Sequence, residues 1–133
     1  MLDEEMYEKG LQTMGAIMGD DWLRDSRKRH EEAVKNGTAE RADFSTKILF
    51  GYMFNRPQLS MRDRSIVMLT SDIVQNTPNA LRSHLSVALH SGVTRDEIEE
   101  IVFQLTQYVG FPKAREATIV IGKYFAELDA KKA

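Results

Sequence analysis

The chain has 133 residues and a formal net charge of -2, enough for one domain and too few for two comfortable ones. The near balance of charge gives no electrostatic reason to expect nucleic acid or an anionic membrane as partner, and no run approaches the ~18 apolar residues of a membrane span. The absence of cysteine removes disulfides, thiolate nucleophiles, Cys-ligated zinc and iron–sulfur clusters together.

Helical periodicity runs through almost the whole chain, and no period-2 segment bounded by turn residues suggests a strand. A first helix is predicted over about Asp3–Met18, with Met6, Leu11, Met14 and Met18 at helical spacing and Gly19 as a stop. Asp20 or Asp21 can cap a second, highly charged helix that Gly37 closes. A third starts near Thr38, carries Phe44, Ile48, Leu49, Tyr52 and Met53, and must end by Arg56, because the residue before Pro57 avoids the α region.

Ser60-Met61-Arg62-Asp63 opens the fourth helix, which runs to about Gln75 with Ile66, Leu69, Ile73 and Val74 inward. Thr77-Pro78 starts the fifth, with Leu81, Leu85, Ala88 and Leu89 as its apolar stripe and Gly92 as its end. Thr94-Arg95-Asp96-Glu97 is a capping box for the sixth, which Gly110 closes. Pro112 opens the seventh, with Ala117, Val120, Ile121, Tyr124 and Phe125 inward and a tail, Asp129–Ala133, expected to fray. The expectation is an all-α bundle of six or seven helices in a single domain, residues 1–133, with no internal repeat or linker.

The opening residues Met1-Leu2-Asp3-Glu4-Glu5 are acidic and lead into no apolar core, so they do not read as a signal peptide. With no cysteine, a reducing cytoplasmic location is expected. Three histidines, His30, His84 and His90, show no H-x-x-x-H spacing, so no metal site is expected. His30 lies in the charged second helix and is expected to be solvated. Ala88, Gly92, Val93, Ile98 and Ile101 satisfy a helix-turn-helix pattern. The would-be recognition helix, however, carries Asp96, Glu97, Glu99 and Glu100 against Arg95, which would repel phosphates.

Between residues 50 and 122 the pattern becomes specific. Phe50-Gly51-Tyr52-Met53-Phe54 followed by Asn55-Arg56-Pro57-Gln58-Leu59-Ser60 resembles the carboxymuconolactone decarboxylase segment in which W-G-E-I-W precedes S-R-P-G-L-D. Arg62-Asp63-Arg64-Ser65 fits the R-x-R-S opening of the next helix, and Pro78-Asn79-Ala80-Leu81-Arg82-Ser83-His84 fits P-E-E-L-R-L-H. Ala88-Leu89-His90-Ser91-Gly92-Val93-Thr94-Arg95-Asp96-Glu97-Ile98 fits A-L-N-N-G-V-T-R-E-E-I, and Tyr108-Val109-Gly110-Phe111-Pro112 fits a Y-x-G-x-P turn. The resemblance implies an alkylhydroperoxidase D-like all-α fold, assembly as homo-oligomers (trimers or hexamers), and active sites near subunit contacts. The redox branch of that superfamily uses Glu…Cys-x-x-Cys-x-x-x-His. Aligned on His84, its cysteines fall on Thr77 and Ala80 and its glutamate near Ser65, so thiol peroxidase chemistry is excluded.

The implied activity is a cofactor-independent decarboxylation of a carboxylated γ-lactone such as 4-carboxymuconolactone. Loss of CO2 leaves a carbanion, and a lactone carbonyl conjugated with an alkene is its own electron sink. The protein must then hold carboxylates, stabilise an oxyanion and deliver a proton to carbon. His84, between Leu81 and Leu85, is the candidate proton donor; a hydrogen-bonded core histidine is the competing reading. Arg82 is a candidate anion binder or a surface ion-pair partner, and it lies two residues from His84, so the two project nearly oppositely. Tyr108 can donate its hydroxyl or pack in the core. Arg56 can bind a carboxylate or stand exposed. Tyr52 replaces the family's glutamate and would be a poor base at neutral pH, which also leaves open a non-catalytic scaffold or small-ligand binder on the same fold.

Overall fold

The computed structural model describes residues 4–132. It holds seven α-helices and, among the described residues, no strand, so the chain is all-α as its periodicity predicts. No helix among these residues is long and apolar enough to cross a membrane. The chain forms two compact units that meet in sequence after Ser60.

The first unit contains α1 (Glu4–Met18), α2 (Asp20–Lys35) and α3 (Ala39–Ser45). A π-helical segment, Thr46–Tyr52, follows and tightens into a 3-10 turn, Met53–Asn55. The expected start of α1 at Asp3 lies outside the described residues. Gly19, at φ 91°, is itself the N-cap of α2, and Asp20 and Asp21 occupy the first turn instead, where they meet the positive helix end.

The single helix expected over 38–56 is therefore three kinds of helix in succession. The cause is the approach of α1. A Cβ on Gly10 would overlap the Thr46 carbonyl oxygen, and one on Gly51 would overlap that of Met6. Two backbones in contact at two glycines leave no room for a regular third helix, and the wider π turn takes up the difference. It also rotates the face: Asp43, Gly51 and Phe54 are buried, whereas Phe44, Tyr52 and Met53 are exposed.

The second unit contains α4 (Met61–Gln75), α5 (Pro78–His90), α6 (Arg95–Val109) and α7 (Phe111–Lys132). Leu69, Ile73, Leu81, Leu85, Ala88 and Ile98 are the centre of its core, with Val102, Leu105, Ala117 and Ile121 around them. The capping box forms as expected: Glu97 N–H donates to Thr94 Oγ1 at 3.1 Å and Thr94 N–H to Glu97 Oε1 at 3.2 Å. Two expectations fail here. Val74 is exposed and the inward positions of α4 include Ser65 and Asp72. The tail does not fray up to Lys132, because Arg95 forms a two-pronged ion pair with Asp129, at 2.7 and 3.0 Å, and Leu128 packs on the core.

Candidate functional site

The turn between α4 and α5 builds the most chemically suggestive group in the second unit. Asn76 takes the left-handed conformation, φ 52°, one residue past the end of α4. This lets Thr77 N–H reach back to the Asp72 carbonyl at 3.1 Å, and the Thr77 hydroxyl also donates to it. Pro78 then starts α5 at a position where its missing N–H costs nothing. So short a connection folds α5 back against the last turn of α4.

His84, one turn beyond Leu81, therefore faces Asp72. Its Nδ1 lies 2.6 Å from Asp72 Oδ2. The Asp72 side chain is 9% exposed and that of His84 31%. The contact engages Nδ1 with a carboxylate oxygen, so Nε2 is the nitrogen left for a ligand. His84 is thus neither wholly core nor wholly solvated.

Arg82 turns the other way, as its spacing requires. It makes an ion pair with Glu127 of α7, and its guanidinium sits 5.4 Å from the centroid of the Tyr124 ring. Tyr108 does not pack in the core: it is 77% exposed near the end of α6, and Phe103 and Phe111 are likewise 73% and 79% exposed. His90 donates within its own helix, its Nδ1–H to the Ser86 carbonyl at 2.7 Å.

Arg56 and Tyr52 belong to the first unit and are joined to each other. Arg56 Nη1 donates to the Tyr52 hydroxyl at 3.1 Å, and the guanidinium carbon lies 5.8 Å from that ring's centroid. The same unit holds a second histidine–aspartate pair. His30 Nδ1 is 2.7 Å from Asp43 Oδ2 and its ring stacks on Tyr7, with centroids 4.5 Å apart. His30 is therefore not a solvated residue of a charged face. The charged sequence around it hides one inward position, and its partner lies thirteen residues on, in another helix. Burial, reinforced by the Asp43 carboxylate, pushes the Tyr7 hydroxyl up to about 12.

Among the described residues, no three of His, Asp and Glu gather as a metal-binding group. Comparison with known proteins adds what geometry alone cannot. The sequence model of the carboxymuconolactone decarboxylase family matches residues 39–121. The chain belongs to the carboxymuconolactone decarboxylase family.

The match covers the π segment, the α4–α5 turn, His84 and α6, so the histidine–aspartate pair lies inside the family's own region. Two decarboxylases are similar to the chain over nearly its whole length. A 4-carboxymuconolactone decarboxylase of Acinetobacter baylyi is 26% identical over 128 residues, covering 96% of this chain and 92% of that one. A nitrosuccinic acid decarboxylase of Metarhizium robertsii is 28% identical over 125 residues, covering 92% and 82%. An uncharacterised protein of Paracoccus denitrificans is 32% identical over 82 residues, covering 60% and 61%.

Asp72 is the residue that sequence reading misses. The only signal for it is an acidic residue beside Leu69 and Ile73, on a helix whose apolar pattern of Ile66, Leu69, Ile73 and Val74 points the stripe one residue further on. Reading that signal requires the helix rotation, which the apolar pattern leaves free by a residue.

Proposed function

We propose that the chain is a cofactor-independent carboxy-lyase acting on a small acid whose carboxylate stands next to a built-in electron sink, with 4-carboxymuconolactone or a close relative as substrate. The observation that carries this reading is the contact between His84 Nδ1 and the buried Asp72 carboxylate in a chain of this family. The names of the two decarboxylase relatives support the substrate class, since one acid bears a lactone and the other a nitro group. Either group can take up the electron pair that decarboxylation releases.

In the proposed reaction the bond between the carboxylate and its carbon breaks and CO2 leaves. The electron pair moves through the alkene onto the lactone carbonyl oxygen as an enolate. Protonated His84 then gives the hydrogen on Nε2 to carbon, and the neutral ring regains a proton from water. Asp72 holds the ring in one tautomer and orientation. Within a homo-oligomer, Arg82 and Arg56 bind carboxylates of substrate held at the His84 of a neighbouring copy, Arg82 by exchanging Glu127 for substrate. Tyr108 and Tyr52 supply polar hydroxyls.

Tyr108 fits this role through assembly. Phe103, Tyr108 and Phe111 are large and exposed on α6 and the start of α7, and exposed aromatic surface is what a subunit contact covers. We propose that the chain works as one domain in a homo-oligomer, a trimer or hexamer, that covers this surface. Light scattering tests the assembly, and a monomer at working concentration would overturn it.

The deciding experiment is CO2 release from freshly generated 4-carboxymuconolactone, run beside His84→Ala. Turnover that disappears in the variant is the expected result. No turnover by clean, assembled protein would overturn the parent activity, and nitrosuccinate would be the next substrate. One observation favours a second reading, a non-catalytic scaffold or small-ligand binder: Tyr52 stands where the family stretch has glutamate, and its hydroxyl is engaged by Arg56. A protein of that kind would turn over neither acid, and His84→Ala would change its stability alone.

A further inference from the structure

The crossing of α1 over the π segment leaves an open cleft of about 450 Å3 on the first unit, a size that suits a small organic molecule. Lys9 and Arg56 line it together with Tyr52 and Asn55, against a single lining carboxylate, Glu5. None of the ion pairs among the described residues involves Lys9.

The floor is fixed by the backbone at buried Gly51, and Lys9, Tyr52, Asn55 and Arg56 stand exposed around it. The overlap that a Cβ on Gly51 would make with the Met6 carbonyl oxygen shows α1 and the π segment in direct contact, with Tyr52 next in sequence. Asn55 pins the end of the segment: its Nδ2 donates to the Phe50 carbonyl at 2.7 Å and lies 3.2 Å from that of Gly51 and 2.9 Å from Thr13 Oγ1 of α1. The wide π turn thus has its last carbonyls satisfied by a side chain, and π turns recur at functional sites. Because the Tyr52 hydroxyl accepts from Arg56, its own hydrogen is directed elsewhere. An ammonium, a guanidinium and a phenolic O–H around one cleft are a donor set for a carboxylate.

We propose that this cleft is a carboxylate-binding site for a small organic acid, with Lys9 as a binding residue alongside Arg56 and Tyr52. The proposal deepens the reading above, since it rests on Arg56 and Tyr52 as substrate-binding groups, but binding is tested apart from chemistry. The probe is succinate, an unreactive dicarboxylate, titrated into isotope-labelled full-length protein and followed by backbone amide NMR.

Saturable shifts at residues 9 and 51–56 are expected. They should weaken about tenfold in Lys9→Met, the loss of one charge-assisted contact, recover in Lys9→Arg, and strengthen in Glu5→Gln. Succinamide, of the same shape without charge, should shift none of them, and His84→Ala should bind as the parent does. No saturable shift in the first unit, or equal affinity in Lys9→Met, overturns the site. Succinate shifts confined to the surroundings of His84 would overturn it while leaving the decarboxylase reading intact. Binding at residues 9 and 51–56 in a protein without turnover would uphold the site and defeat that reading instead.

Discussion

The Nδ1 of His84 lies 2.6 Å from the Oδ2 of Asp72, a residue twelve positions earlier on the preceding helix. The contact depends on a left-handed Asn76 that turns α5 back on α4, and it fixes the orientation of a histidine at the edge of an apolar stripe.

If that orientation serves proton delivery, the two partners fail differently. His84→Ala should lower kcat by about 10²–10⁴-fold, the usual contribution of a positioned acid, while the circular dichroism spectrum stays helical. Asp72→Asn keeps a hydrogen-bonding side chain but no longer holds the ring in a single tautomer and orientation. It should lower kcat less than His84→Ala does, with KM little changed. An unchanged kcat would assign Asp72 to packing alone.

The pair formed by His30 and Asp43 is the internal control. Its geometry is nearly that of His84 and Asp72, but it stacks on buried Tyr7 within the first unit. His30→Ala leaves the Asp43 carboxylate buried without this partner. A stability loss of about 1–3 kcal/mol in urea is expected, with kcat unchanged at temperatures where the variant is folded. A drop in kcat of the His84→Ala kind would move the functional site to the first unit.

Two glycines of one helix should respond in opposite directions. Gly10→Ala drives a methyl group into the Thr46 carbonyl oxygen, which belongs to backbone and cannot turn aside. It should destabilise by roughly 2–3 kcal/mol. At Gly15 the new methyl would meet Leu23 side-chain carbons at 3.6 Å, ordinary contact. Gly15→Ala should stabilise by about 0.5–1 kcal/mol through helix propensity. Chemical denaturation of the two variants side by side decides the matter.

Tyr7 predicts an alkaline weakness. Burial and then Asp43 raise its folded pKa from 10.0 to about 12. The folded state therefore holds the proton more tightly than the unfolded chain, and this contribution is complete below pH 10 and lost as pH rises toward 12. Stability should fall across that window, by up to roughly 2–3 kcal/mol from this group. Tyr7→Phe should flatten the fall relative to the parent. Equal slopes in the two proteins would show that Tyr7 ionises as readily folded as unfolded.

Much of the architecture is written locally and can be read without a structure. The helix stops at Gly37 and Gly110, the Pro78 start of α5 and the capping box at Thr94 are each decided within four or five residues, by φ preference and backbone hydrogen bonding. The absence of cysteine and the ordered motifs of residues 50–122 likewise placed the chain in its family and outside thiol chemistry. Tertiary structure alone decided the rest. It broke the third helix into a π turn because two glycines brought α1 onto it, sent Arg82 to Glu127 and left Tyr108 on the surface. It also paired both His84 and His30 with aspartates that the apolar pattern passes over. Such pairings depend on how far each helix is rotated about its axis. One residue changes that rotation by about 100°, finer than a hydrophobic stripe specifies, and only packing against a neighbouring helix fixes it.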